Sequence, residues 1–137
     1  MVKELVHDPM FLAQKSEPAT EADKQVITDL LDTLRAHSDS CVGMAANMIG
    51  VKKNIIVVSL GFMQMAMVNA TIVNKRKPFK TEEGCLSLLG GPRPCTRFDE
   101  IEVEYQDASF QLKKDKFTGW TAQIIQHELD HVNGVLI

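Results

Sequence analysis

The stretch Gln126-His127-Glu128-Leu129-Asp130-His131, near the end of the chain, constrains the fold more than any other part of the sequence. His127 and His131 are four residues apart, and in an α-helix this spacing places both imidazoles on one face. Two such imidazoles can bind one cation through their ring nitrogens, at about 2.0–2.1 Å for zinc. Glu128 is offset around the helix and can reach a water molecule at the cation without binding the metal. The sequence therefore predicts a helix that carries part of a metal site, although two surface histidines on an ordinary helix would give the same pattern.

A catalytic site of this kind needs a third protein ligand and an open position for water. One class of metalloproteases has a further histidine six residues after the second, but Ile137 occupies that position here. A better candidate is Cys85, which follows a glycine in the segment Glu82-Glu83-Gly84-Cys85-Leu86-Ser87, because glycine permits close approach of the backbone and a thiolate binds divalent metals strongly. The alternative is a simple buried cysteine, as free cysteines often are. The remaining histidines, His7 and His37, lie in polar, turn-like segments.

The composition is that of one ordinary globular domain. The chain has 137 residues, of which 45% are hydrophobic and 24% charged, and we expect residues 1–137 to form a single domain. A net charge of −3 argues against a surface for nucleic acid or for an anionic membrane. No apolar run approaches the roughly 20 residues of a membrane helix, and no signal peptide opens the chain. The three cysteines do not form a disulfide framework, so we expect a cytoplasmic protein.

Hydrophobic periodicity predicts a helix, several mainly antiparallel strands and a final helix. We expect residues 1–19 to be an extended lead-in interrupted by turns, a helix capped by Thr20 to end near 37–40, and a buried strand at 54–60. One or two strands follow within 63–74, and solvated loops are expected at 75–80 and 88–97. A half-exposed strand near 101–106 leads through a hairpin to the last helix, which starts near 118–120 with Trp120 as an apolar anchor. The prediction is an α+β fold with mainly antiparallel sheets packed around a C-terminal metal-binding helix.

Three motifs occur in a fixed order along the chain. They are Gly43-Met44-Ala45-Ala46-Asn47-Met48-Ile49-Gly50, Glu83-Gly84-Cys85-Leu86-Ser87, and the histidine motif at 126–131. The first resembles the G-x-G-L-A-A-P-Q-x-G motif of the peptide deformylase family, the second matches its E-G-C-L-S, and the third matches its Q-H-E-x-D-H. His7-Asp8-Pro9 and Arg97 also fall where this family has similar residues. The resemblance covers nearly the whole chain.

The resemblance implies a hydrolase that removes the formyl group from N-formylmethionyl nascent peptides and releases formate. It implies that Cys85, His127 and His131 hold one divalent metal ion, natively Fe(II), with zinc, nickel or cobalt as substitutes. Glu128 would move the proton of the attacking water to the leaving amine. The Leu86 N–H would stabilise the oxyanion that develops on the formyl oxygen.

The same resemblance implies where the substrate lies. Contacts with the peptide would come from Gly43, Met44, Met48 and Gly84, with the glycines leaving room for its backbone and an apolar pocket receiving its methionine side chain. The partner is therefore an N-formylmethionyl peptide, with at most a transient contact with the ribosome. Direct contact with nucleic acid or with a membrane is not expected.

The first motif departs from the family at three positions. Cys41 replaces its first glycine, Asn47 its proline and Met48 its glutamine. The family's glutamine donates a hydrogen bond to the formyl oxygen, whereas methionine has no N–H, and losing one oxyanion donor typically costs about 10²–10³ in rate. The sequence leaves three hypotheses open: a slow deformylase, a metallo-hydrolase of another amide, and a non-catalytic metal-binding paralogue. Retention of Glu128 favours an enzyme, because a metal-binding protein needs the ligands but not the base.

Overall fold

Two α-helices precede the sheet within the described residues, which are 1–85 and 88–137 of a computed structural model. Helix α1 (Pro9–Leu12) is short, and the Asp8 side chain accepts a hydrogen bond from the Met10 N–H at 3.0 Å. The expectation of an extended lead-in over residues 1–19 is wrong at α1, where the chain is helical. Proline is favourable in the first turn of a helix, where its missing N–H would have no helical partner.

Helix α2 (Lys24–Ala36) follows a single 3-10 turn (Glu21–Asp23). The Thr20 N–H donates to the Asp23 carboxylate at 2.9 Å, which satisfies one backbone donor at the start of the helix. Its apolar face joins the hydrophobic core through Ile27, Leu30 and Leu34. The predicted helix and its end near residue 37 are confirmed.

Five strands form one antiparallel sheet in the part of the chain that the structure describes. They are β1 (Gly43–Ala45), β2 (Ile55–Ser59), β3 (Gln64–Cys85), β4 (Leu88–Gln106) and β5 (Leu112–Thr118). Each strand pairs with its neighbour in sequence, so the order across the sheet is the order along the chain. Antiparallel neighbours need only short connections. The predicted α+β fold with antiparallel pairing is confirmed.

Strands β3 and β4 are much longer than expected. The predictions of loops at 75–80 and 88–97 are wrong, because Lys75 pairs with Ile101 and Glu83 pairs with Arg93 in one continuous hairpin. Among the described residues, β2 pairs with β3 only at residues 64–68 of β3, and β5 pairs with β4 only at residues 100–106 of β4. The far half of the hairpin therefore has open edges, where proline is tolerated because its missing N–H faces solvent.

Helix α3 (Gly119–Val132) packs against β1, β2 and β4. Its predicted start is confirmed, and Ile124 and Ile125 are buried as expected. Trp120 was predicted to anchor the helix in the core, which is wrong: the side chain is 61% exposed at the rim of a cavity. None of the described helices is both long enough and apolar enough to cross a membrane.

Candidate metal centre and active site

Two histidines and one cysteine come together where α3 meets the end of β3. The ligand atoms of Cys85, His127 and His131 all lie within 4.8 Å of one another. The Nε2 atoms of the two histidines are 3.2 Å apart, so both rings face the same point, as their spacing predicts. His131 is fully buried and His127 is 8% exposed. Two imidazoles and one thiolate around one point can hold a divalent cation.

A buried ionic network holds the second ring nitrogen of His127. Its Nδ1 atom lies 2.7 Å from Oε1 of Glu83. Arg97 donates to the two Glu83 oxygens at 2.7, 3.0 and 3.1 Å and to Asp130 at 2.6 Å. Gln123 donates to Oε2 of Glu83 at 2.8 Å. A carboxylate partner of this kind fixes the tautomer and the ring orientation of a ligating histidine.

Burial and charge shift the pKa values of these side chains. Burial alone would raise the pKa of Glu83, but hydrogen bonds, led by that with His127, lower it to about 2. Burial lowers the pKa of His127, yet hydrogen bonds with Cys85 and Glu83 outweigh it and the net shift is upward. Burial and the adjacent charge of His127 lower the pKa of His131 to about 3. Glu83 therefore stays a carboxylate at neutral pH, and His131 stays the neutral imidazole that a metal requires.

Glu128 lies beside these residues with its carboxylate buried. It is 4% exposed, and its Oε1 atom has no hydrogen-bond partner within the described residues. Burial raises the pKa of Glu128 to about 7, against the opposing effect of the His127 charge. Gly43 packs directly on it, because a Cβ atom there would lie 3.0 Å from Oε2 of Glu128 and 2.6 Å from Cγ2 of Ile124. A carboxylate with a raised pKa and a free oxygen can exchange protons near neutral pH.

A cavity of about 660 Å³ opens onto this group of residues. Its lining includes Gly43, Met48, Gly84, Cys85, His127 and Glu128. Met44, which was predicted to contact substrate, is fully buried in the core and is not among the described residues that line the cavity. Leu86 lies outside the described residues, so its role at the oxyanion stays a prediction.

The three departures from the family motif lie at or next to this cavity. Cys41 lines it and donates its thiol hydrogen to the Gly43 carbonyl at 2.9 Å, and burial raises the pKa of Cys41 to about 11. Asn47 is fully buried and donates to the backbone of α3. Met48 is 1% exposed, and its sulfur accepts the Ala45 N–H at 3.4 Å. Met48 therefore brings no N–H donor to the cavity.

Sequence reasoning missed Glu83 as the partner of His127, although a signal was available. Alternation along a strand places residues i and i+2 on one side, and both Glu83 and Cys85 contact His127. The sequence indicates Gln126 only as part of the motif, whereas in the structure its Oε1 accepts the Phe98 N–H at 2.8 Å and its Nε2 donates to the Phe98 carbonyl at 2.7 Å. No local signal indicates this tie between α3 and β4, because Phe98 is 28 residues away in sequence.

Comparison with known proteins identifies the family. The family model for polypeptide deformylase matches residues 2–137. The chain belongs to the polypeptide deformylase family. A peptide deformylase from Clostridium beijerinckii is 55% identical over 137 residues, which is 100% of both chains. A peptide deformylase from Dictyoglomus turgidum is 34% identical and aligns with 96% of this chain and 86% of its own length. The crystal structure of peptide deformylase from Thermotoga maritima matches with a TM-score of 0.89 and 29% identity, covering 99% of this chain and 95% of that one.

Membership in the deformylase family determines the class of reaction. The predicted resemblance and the predicted activity, metal-dependent deformylation of peptides, are confirmed at the level of the family. The two other hypotheses, a hydrolase of another amide and a non-catalytic paralogue, are not favoured, because the identity to a peptide deformylase extends over the whole chain. The predicted metal dependence is confirmed for the family, and Cys85, His127 and His131 form a group that can hold the ion.

Proposed function

We propose that this chain hydrolyses the formyl amide of N-formylmethionyl peptides and releases formate, with Glu128 as the general base. One observation carries the proposal: the buried Glu128 carboxylate lies next to the Cys85, His127 and His131 group, beside one cavity. A base, a metal-ligand set and space for a substrate are the parts that hydrolysis of an amide needs.

The donor set fits one divalent cation. One thiolate and two imidazoles suit Fe(II), zinc, nickel and cobalt, and we propose Fe(II) as the native ion, in line with the family, with the other three as substitutes. When bound by Cys85, His127 and His131, such an ion supplies a Lewis acid that polarises the substrate carbonyl and acidifies a water molecule. Glu83 keeps the His127 ring in the orientation that binding requires, through its contact with Nδ1 at 2.7 Å.

Glu128 moves the proton in this mechanism. Its Oε1 atom has no partner within the described residues, so it can take a proton from the attacking water. The water oxygen bonds to the formyl carbon, the carbon–nitrogen bond breaks, and Glu128 returns the proton to the leaving amine. The products are formate and a peptide with a free amino group. Gly43 allows β1 to pack against Glu128, because a side chain at this position would collide with the carboxylate and displace it.

The cavity also provides contacts for the rest of the peptide. A Cβ atom at Gly84 would meet nothing within 4 Å among the described atoms, so the peptide backbone can approach there. Met48 and Ile124 give the cavity apolar surface for the methionine side chain. We propose that Met44 acts indirectly, because it follows Gly43 in β1 and its side chain is fully buried in the core.

The test is turnover of a formyl-Met tripeptide by protein loaded anaerobically with Fe(II) or Ni(II). We expect formate release above that of Glu128→Ala, which keeps all three ligands and lacks the base. The metal content of both proteins is measured in the same samples. If the parent binds one ion per chain and releases no more formate than Glu128→Ala, the proposed activity is wrong.

We also propose a cytoplasmic location and at most a transient contact with the ribosome, since the proposed substrate is a nascent chain. The net charge of −3 gives no general affinity for nucleic acid, so any contact would be local and weak. Co-sedimentation of the chain with ribosomes that carry formylmethionyl nascent chains tests this. Binding to empty ribosomes of equal strength would contradict a contact that depends on substrate.

A further inference from the structure

Asn47 connects the turn beside the cavity to the helix that carries the histidines. Its side chain is fully buried, and Nδ2 donates to the backbone carbonyl of His131 at 2.8 Å across 84 residues of sequence. The family motif has proline at this position, and a proline side chain has no hydrogen-bonding group that could make this contact. The contact therefore depends on a residue in which this chain departs from the motif.

Two backbone hydrogen bonds from neighbouring segments fix the turn that carries Asn47. The 3-10 turn (Ala46–Ile49) receives a hydrogen bond from the Val6 N–H to the Met48 carbonyl at 2.7 Å. The Val51 N–H donates to the Ala46 carbonyl at 3.1 Å. A donor that projects from a backbone fixed in this way can define the position of its acceptor.

His131 depends on its own backbone for its orientation more than His127 does. Glu83 binds Nδ1 of His127 at 2.7 Å. The His131 imidazole interacts with the backbone of Ile137, but its Nδ1 atom is buried without a hydrogen bond of ordinary geometry to any described residue. The ring of His131 is therefore held mainly by packing and by the position of its own main chain.

The position of the His131 main chain depends on the hydrogen bonds that its backbone carbonyl accepts. It lies in the last turn of α3, where carbonyls have no N–H partner from a following helical turn. The Gly134 N–H donates to it at 3.0 Å from the same chain segment, and the Asn47 amide donates to it at 2.8 Å from across the fold. Of these two hydrogen bonds, the one from Asn47 links the end of α3 to the 3-10 turn beside the cavity.

We propose that Asn47 is a positioning residue for the metal site. Its amide holds the main chain of His131, so that the Nε2 atoms of His131 and His127 remain directed at one common point. The inference rests on the metal site of the proposed function. The Oδ1 atom of Asn47 is buried and has no hydrogen-bond partner among the described residues, which is unfavourable for folding. The residue is thus better explained by its bond to the ligand than by overall stability.

The experiment measures Co(II) affinity, by competition with a chelator, together with stability in urea without metal. Asn47→Leu keeps the size of the side chain and removes both the donor and the unpaired oxygen, and Asn47→Ala removes the side chain. The matched control is Asn133→Ala, because the Asn133 amide donates to the Leu129 carbonyl at 2.9 Å in the same helix end without touching a ligand. The absorption of bound Co(II) in the visible range reports the geometry of the ligands.

We expect both Asn47 variants to bind Co(II) about 10–100-fold more weakly than the parent, as happens when the support of a metal ligand is lost. Asn47→Leu should do so without losing stability in urea, and its Co(II) spectrum should change. Asn133→Ala should keep the parental affinity. The inference is overturned if Asn47→Leu folds and binds Co(II) as tightly as the parent does. A parent that does not bind Co(II) would instead contradict the metal site of the proposed function.

Discussion

Met48 places a thioether where the family motif has a glutamine amide, and its sulfur accepts the Ala45 N–H at 3.4 Å. A glutamine at this position would bring an amide N–H donor to a residue that lines the cavity. We expect Met48→Gln to raise kcat for a formyl-Met tripeptide by about 10²–10³, which is the usual effect of one oxyanion donor. Steady-state kinetics with fully metal-loaded protein measure this change.

The control for Met48→Gln is Met48→Leu, which fills the same buried space without an amide. We expect Met48→Leu to show no gain in kcat. If glutamine also brings no gain in a folded, metal-loaded protein, the chain stabilises the oxyanion through groups other than a side chain at this position.

The contribution of Glu83 to metal affinity can be measured with a single substitution. Glu83→Gln keeps the size of the side chain but removes the charge that faces His127 and Arg97. We expect metal affinity to fall by about 10–100-fold, because the ring of a ligating histidine loses its charged partner. Chelator competition with Co(II) measures the affinity. Glu82→Gln is the matched control, because Glu82 is the exposed neighbour on the same strand; a similar loss in both variants would contradict a specific role for Glu83.

Between elements, the closest approach at the site is that of β1 to α3. Gly43 lies so near α3 that a Cβ atom would be 2.6 Å from Ile124 and 3.0 Å from Glu128. We expect Gly43→Ala to lower the free energy of unfolding by about 1–3 kcal/mol, because the extra methyl group overpacks this contact. It should also reduce kcat, because the Glu128 carboxylate has to move. Urea denaturation and steady-state kinetics measure the two effects.

Gly84→Ala provides the comparison for Gly43→Ala. A Cβ atom at Gly84 meets nothing within 4 Å among the described atoms, so we expect the free energy of unfolding to stay the same. Because Gly84 lines the cavity, KM for the peptide should rise. Equal losses of stability in both variants would show that the contact between β1 and α3 is not the cause.

For the molecule as a whole, Asn69 ties the lead-in segment to the sheet. Its amide donates to the Ala19 carbonyl at 2.9 Å and to the Gln106 side chain at 2.9 Å, and its oxygen accepts the Ala19 N–H at 2.7 Å. Its φ of 52° lies in the left-handed region, which asparagine tolerates better than alanine. We expect Asn69→Ala to lower the free energy of unfolding by about 2–4 kcal/mol. Denaturation in urea measures this, and the exposed Asn74→Ala on the same strand should change it far less.

Much of this protein follows from local patterns in its sequence. The apolar spacing in α2 depends only on neighbours along the chain, and the predicted helix is present in the structure. The helical spacing of His127 and His131 likewise predicts that their rings face one point. Such features are predictable because one turn of helix places the interacting residues next to each other.

Only the tertiary structure decided the rest. Residues 75–80 and 88–97 have the composition of loops, yet they are strands because β3 and β4 pair along this whole hairpin, residues 75–80 with 96–101 and residues 88–97 with 79–85. The partners of His127 and His131, Glu83 and Asn47, come from 44 and 84 residues away. The sequence by itself indicated His127, His131 and Glu128 as candidates, because their spacing along one helix is local, and it offered Cys85 as a candidate third ligand. The fold determined what holds them in place, because buried polar groups are satisfied by whichever partners the packing brings within reach.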